Sequence, residues 1–255
     1  GTDYADLVKE ELGIQENGET LARLDADKAE QYKQQAIEEL TALGVTFPVG
    51  IDYYISGSNQ TALDSANVLA QSISNSLGDD FMKLNIKTYV SSSTQEVLNP
   101  HLQSITMNGW GADYGDPVNF VGQEILHDDN AYYSWYYSNI AKIVEAGPAD
   151  WQKDLVACYE EFTDLVNTAK AIVDDTDARY AAFAKAEASM LNNVLACPCY
   201  FEVSWTLTHA NEYSKINAMY GPCNYKAVNW ETSEEAYTTE QYEEFAAAFD
   251  AATKA

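Results

Sequence analysis

Asp113 is the side chain whose neighbours best equip it to hold a charged ligand. It belongs to Ser104-Ile105-Thr106-Met107-Asn108-Gly109-Trp110-Gly111-Ala112-Asp113-Tyr114-Gly115-Asp116-Pro117. The carboxylate offers a fixed negative charge. Gly109 and Gly111 leave the backbone bare, and a glycine at a strand end weakens the strand unless another backbone or a ligand must approach closely. Trp110 between them supplies a large rigid wall. Gly115-Asp116-Pro117 is turn chemistry and ends the element. An aspartate before a turn can also bond its own backbone, and the residues alone leave both roles open.

The elements that must position this segment follow from periodicity. Ile105 and Met107 alternate with Thr106 and Asn108, which predicts a strand with one buried face. Upstream, Val49, Ile51, Tyr53 and Ile55 alternate in a first strand. A helix then carries Leu63, Ala66, Ala70, Ile73 and Leu77, capped by Ser58 or Asn59 and closed by Gly78. Leu84, Ile86, Thr88 and Val90 mark a second strand. Strand–helix–strand at this spacing predicts parallel strands in an open α/β sheet, on which ligands bind beyond the carboxyl ends. A short helix from about Thr94, broken near Pro100, leads into the third strand.

Around this centre lie helices. Short helical spacing involves Tyr4, Leu7, Val8 and Leu12. Ala29, Tyr32, Ala36, Leu40 and Leu43 form an apolar stripe on a surface helix ended by Gly44. Residues 119–140 are rich in aromatics (Tyr132, Tyr133, Trp135, Tyr136, Tyr137), which either pack under a loop or form a stacking platform. Helices are expected from Ile140 to Gly147, from about Asp150 to Val173, and from a Thr176 cap onward. A strand is expected over Tyr200–Thr208, an irregular stretch over 211–237, and a last helix from Thr239.

Composition narrows the chemistry. The chain has 255 residues, 46% hydrophobic, and a net charge of -26. That charge opposes binding to nucleic acid or to an anionic membrane. No apolar run approaches the ~20 residues that span a bilayer. The chain opens on Gly1-Thr2-Asp3 rather than Met, so any leader is expected upstream. Four cysteines are too few for a disulfide scaffold, and Cys197-Pro198-Cys199 lacks a usual zinc spacing. We expect both as small core residues of a strand. His101, His127 and His209 are scattered, so neither metal nor cofactor is expected. There is no phosphate-binding loop and no nucleophile elbow, and Gly109-x-Gly111 lacks the third glycine of a dinucleotide loop. Asp128-Asp129 and Asp174-Asp175 read as turns and caps.

Gly-Trp-Gly-Ala-Asp-Tyr-Gly-Asp-Pro at residues 109–117 resembles the signature in the C-terminal lobe of family 5 extracellular solute-binding proteins, the peptide-, dipeptide- and nickel-type receptors of ABC importers. Tyr137-Ser138-Asn139 followed by Ile143-Val144-Glu145-Ala146 is similar to a helix start of that family. So is Asp174-Asp175-Thr176-Asp177-Ala178-Arg179-Tyr180, running through Lys185-Ala186-Glu187 to Pro198-Cys199-Tyr200. The resemblance covers about residues 25–230. An acidic, aromatic insertion between Gly147 and Ala171 departs from it.

The resemblance implies an α/β chain forming the C-terminal lobe of a two-lobed, periplasmic-binding-protein-like (type II) fold, with a sheet flanked by helices. Residues 1–255 would be that lobe, its core at about 25–210. The tail at 211–255 would return to a missing N-terminal lobe, leaving Tyr225–Trp230 without its sheet partner. The implied function is binding of peptides between two lobes and delivery to the permease subunits of an ABC importer. Localisation would be extracytoplasmic, periplasmic or as a cell-surface lipoprotein, with no catalysis. The resemblance puts Asp113 on the ligand's α-ammonium, the backbone of Gly109 and Gly111 on its main chain, and Trp110 along a side-chain pocket. Glu202, on the return strand, is a further ligand candidate. A nickel-chelate or sugar receptor is the alternative within the family. An acidic glycoside hydrolase, needing two carboxylates about 5–10 Å apart, is the alternative outside it.

Overall fold

The computed structural model describes residues 2–14, 26–200 and six positions between 239 and 247. Contacts divide the chain into two units. One joins Gly1–Gly109 with Phe120–Cys197, and the other joins Trp110–Asn119 with Pro198–Ala255. The expected return strand, the irregular stretch with Tyr225–Trp230, His209 and Glu202 lie outside the described residues.

The first unit opens with α1, Tyr4–Glu11, whose cap Asp3 accepts from the Ala5 N–H at 2.9 Å. Helix α2, Ala26–Ala42, buries no residue, and Tyr32 on its expected stripe is 60% exposed. The centre is a parallel βαβ unit of β1 (Val49–Ser56), α3 (Gln60–Leu77) and β2 (Met82–Tyr89). Its register runs from Val49 opposite Met82 to Ser56 opposite Tyr89. Asn59 is the cap of α3, its side chain accepting from the Ala62 N–H at 3.0 Å. Gly78 ends the helix at φ 85°, a backbone that a Cβ would strain. Asp52 ties the strands together: it accepts from Lys87 Nζ at 2.5 Å and Asn85 Nδ2 at 3.0 Å. Those donors hold its carboxyl below the usual range.

The expected third strand is reduced to a single parallel bridge, Tyr53 to Ile105. Ser104 N–H and Ile105 N–H both donate to the Asp52 carbonyl, at 2.9 and 3.3 Å. Beyond that point Ile105 and Met107 are 41% and 50% exposed, so the buried face expected from their alternation is absent. The physical reason is local. A strand needs a continued ladder on at least one side, and here the chain leaves β1 after one residue pair.

The remaining described elements are helical. A π-helical turn at Thr94–Leu98 stands where a short helix was expected. Then come α4 (Val118–Val121), α5 (Tyr132–Tyr136), α6 (Ile140–Ala146), α7 (Lys153–Ala171) and α8 (Thr176–Asn192). The stretch between Gly147 and Ala171 supplies the heart of the core. Tyr159, Phe162, Thr163, Val166 and Ala169, at successive steps of three, one, three and three, are all buried on α7. On α8 the buried set is Phe183, Ala184, Ala186, Ala188 and Met190, wider than one stripe. Both α7 and α1 pack on that helix, and its alanines let them come close. Tyr4 of α1 donates its hydroxyl to Glu187 of α8 at 2.8 Å. The cap of α8 is Asp175, which accepts from the Ala178 N–H at 2.9 Å, not Thr176. Arg179 Nη1 donates to the carbonyls of Ala169, Lys170 and Ile172, closing the end of α7. Cys197 and Cys199 are exposed and lie outside any strand, which corrects their expected place in the core. Among the described residues, no helix is long and apolar enough to cross a membrane.

Candidate functional site

The loop 110–119 builds itself around one side chain that sequence reasoning missed. Asn119, buried at the start of α4, accepts through Oδ1 from Trp110 Nε1 at 3.0 Å and from the Asp113 N–H at 3.2 Å. One amide oxygen thereby orients the indole and fixes the backbone that carries the carboxylate. Asp116 sets the exit: its Oδ1 accepts from the Val118 N–H at 3.0 Å, and its carbonyl accepts from the Asn119 N–H at 3.0 Å. With Pro117 between them, this is the turn that Gly115-Asp116-Pro117 predicts. An Asn six residues past an Asp in a turn-rich segment has no distinctive spacing, so the signal in the sequence was weak.

Asp113 itself is exposed. Among the described residues, no hydrogen bond or ion pair engages its carboxylate. Its backbone N–H donates to Asn119. Gly111 is exposed, and a Cβ there would meet no described atom within 4 Å. Trp110 is half-buried. Gly109, in the other unit, is likewise exposed with open space around its Cα. Packing within the described residues gives neither glycine a reason to lack a side chain.

A second feature lies wholly in the first unit. At the carboxyl ends of β1 and β2 is a cavity of about 160 Å³, with Tyr54, Tyr89, Gln103, Asn108 and Tyr137 on its walls. Glu96 holds the loop beside it, accepting from the N–H groups of Val90, Ser91 and Ser92 and from the Ser91 hydroxyl. Those donors push its carboxyl down to about 2. The aromatic cluster behind the cavity packs on itself. Tyr132 and Tyr136 rings lie 4.7 Å apart, and Tyr133 and Tyr137 4.9 Å apart. Trp135 faces Lys142, whose Nζ is 4.6 Å from the ring centroid. Of the two roles left open for these aromatics, mutual packing accounts for the tyrosines.

Below this cluster Glu124 is buried, with the Ser138 hydroxyl donating to it at 3.3 Å. Burial dominates and pushes its carboxyl up to about 7.

No family model matches the chain. Among curated proteins, the oligopeptide-binding protein AmiA of Streptococcus pneumoniae serotype 4 is 25% identical over 215 residues, covering 76% of this chain and 31% of that protein. The oligopeptide-binding protein SarA of Streptococcus gordonii is 27% identical over 220 residues, covering 78% and 31%. The chain thus spans about a third of the length of these relatives. Among solved structures, the peptide-binding protein of a peptide ABC transporter superposes with a TM-score of 0.50 at 21% identity, over 76% of this chain and 69% of that chain. That likeness is one of fold, and it gives the chain a periplasmic-binding-protein-like α/β fold of type II. The resemblance read at Gly109–Pro117 is borne out: the sequence relatives are oligopeptide-binding proteins of the kind it names, and the match is partial in length.

Proposed function

We propose that this chain is the C-terminal lobe of an extracytoplasmic peptide receptor of an ABC importer. The lobe would close with an N-terminal partner lobe over a peptide and present it to the permease. Asp113 would pair with the peptide's α-ammonium, the backbone at Gly109 and Gly111 would bond its main chain, and Trp110 would flank a side chain. Main-chain recognition with a captured terminus tolerates many sequences, because every peptide carries those groups. Glu202 remains a candidate for the same ligand. The role is binding without catalysis.

One observation carries this reading. The Asp113 carboxylate stands exposed and unengaged among the described residues, while Asn119 fixes both its backbone and the neighbouring indole. A charge that serves the fold is ordinarily capped or paired, as Asp3, Asp52 and Asp175 are here.

The test is calorimetry on the complete two-lobed receptor with a short peptide. Asp113→Asn is expected to weaken binding by about 2–5 kcal/mol, the cost of removing one partner of a buried charge pair. N-acetylation of the peptide should produce a similar loss in the wild type and little further loss in the variant. Unchanged affinity in Asp113→Asn would take this residue, and the reading built on it, out of the site.

A further inference from the structure

Glu124 is a carboxyl group that the fold buries without a cation. It is 7% exposed. Its Oε2 accepts from the Ser138 hydroxyl at 3.3 Å, and that hydroxyl is shared with the Tyr133 carbonyl, also at 3.3 Å. Facing it are the Tyr133 phenol from α5 and the Tyr159 phenol from α7. Burial first, and then the Glu124 charge, raise both phenols above their ordinary range, so neither is charged where a carboxyl titrates. No lysine, arginine or histidine among the described residues acts on the Glu124 carboxyl. A carboxylic acid tolerates such a site, whereas a carboxylate without a counter-charge is far more costly to bury.

The residues around it form one of two clasps on segment 132–139. On this side the Gln123 carbonyl accepts from the Tyr133 and Ser134 N–H groups, at 2.9 and 3.1 Å, and Gln123 Oε1 accepts from the Tyr132 N–H at 3.4 Å. On the other side Gln103 Nε2 donates to the Tyr136 and Tyr137 carbonyls, and His101 Nδ1 lies 2.6 Å from Asn139 Oδ1. The segment so held contributes Tyr137 to the wall of the cavity at the carboxyl ends of β1 and β2. Asn108, of the same wall, approaches the Tyr133 hydroxyl. Ionising Glu124 therefore sets an uncompensated charge inside the Gln123 clasp. Opening the clasp lets water solvate that charge, and it displaces the Tyr133–Tyr137 side of the wall.

We propose that Glu124 is a proton-operated latch on this cavity: as the acid it keeps segment 132–139 closed, and as the carboxylate it releases that segment. The sign follows from linkage. The closed form holds the proton up to about pH 7, and a solvated carboxyl releases it near 4.5. Closure is thus fully stabilised below about pH 4.5, and the stabilisation is lost as pH rises through about 7. In the receptor, peptide affinity falls over the same interval. That consequence rests on the reading above; the latch itself does not.

Amide hydrogen exchange on the chain tests it, expressed as protection relative to an unstructured peptide so that the intrinsic pH dependence of exchange cancels. Between pH 5.5 and 8 the protection of the Tyr133 and Ser134 N–H groups is expected to fall more than tenfold. In Glu124→Gln it should stay level. The Val166 N–H, in the core of α7, should exchange far more slowly at both pH values. Level protection in the wild type, an equal fall in Glu124→Gln, or exchange of Tyr133 and Ser134 no faster than Val166 would each overturn the latch. A second measurement does not depend on the variant: the Glu124 side-chain carboxyl carbon should titrate near neutrality, and titration alongside the exposed glutamates would also overturn it. Asp113→Asn should leave the exchange unchanged, so failure of the receptor reading and failure of the latch give different results. In the complete receptor, peptide affinity should drop between pH 5.5 and 8 about tenfold more in the wild type than in Glu124→Gln. Equal drops would refute the link to the ligand.

Discussion

The α7–α8 pair and the carboxyl edge of the β1–β2 sheet solve opposite problems with similar materials. In the helix pair no buried side-chain oxygen or nitrogen lacks a partner. Phe162, Val166 and Phe183 are fully buried. Thr163 donates to the Tyr159 carbonyl and accepts from the Leu126 N–H, and Arg179 closes the end of α7. At the sheet edge the demands stay open. Ile105 and Met107 face outward, and Gln103 Oε1 lacks a donor among the described residues. In the separate 110–119 loop Asp113 likewise lacks a partner among them. Stability is concentrated where groups are satisfied internally, and recognition belongs where they are left for something else to satisfy.

If that division is right, the largest change in stability comes from the helix pair. Phe183→Ala should destabilise the fold by about 3–5 kcal/mol, read by denaturant unfolding. A loss below about 1 kcal/mol would mean that the pair is not the core.

A smaller effect should come from Glu124, which is buried beside Ser138. Its carboxyl is held near 7 in the fold, above its ordinary 4.5. The folded chain therefore holds this proton more tightly than the unfolded chain. The associated stability is fully present below about pH 4.5 and is lost as pH rises through about 7. The amount is about 3 kcal/mol at most. Glu124→Gln should remove that slope, so the difference between wild type and variant across pH 4.5–8 isolates it from the repulsion of the acidic surface. Parallel profiles would show that Glu124 is not protonated in the fold.

The smallest stability change belongs to Asn119. Asn119→Ala removes one acceptor from two donors, and a cost of about 1–2 kcal/mol is expected. Peptide affinity of the complete receptor should nonetheless fall, because the Asp113 backbone is no longer held. A variant that loses stability and keeps full affinity would erase the contrast between the regions.

How much of this was legible beforehand depended on the range of the interaction. The βαβ unit, the Asn59 cap and the Gly78 stop could be read from periods and caps, since each involves residues three or four apart or a strict alternation. Helix α7 was legible as a helix, yet its place at the centre of the core was not. Its acidic, insertion-like composition masks the stripe Tyr159, Phe162 and Val166. The third strand was misread because alternation at Ile105 and Met107 reports only what a strand would do there. Whether a ladder continues is decided by the neighbouring chain. Cys197 and Cys199 were misplaced for the same reason.

The sequence by itself determined the local elements and the chemical identity of the loop: a carboxylate, an indole and two bare glycines in fixed order. Those follow from side-chain type and short-range backbone preference. Only the tertiary structure decided that Asn119 would hold Trp110 and Asp113 with one oxygen, that β1 would release the chain after Ile105, and that Gln103 would spend its donors on two carbonyls and keep an acceptor bare. Each of these depends on where distant backbone groups fall in space, and hydrogen bonds are made only within about 3 Å.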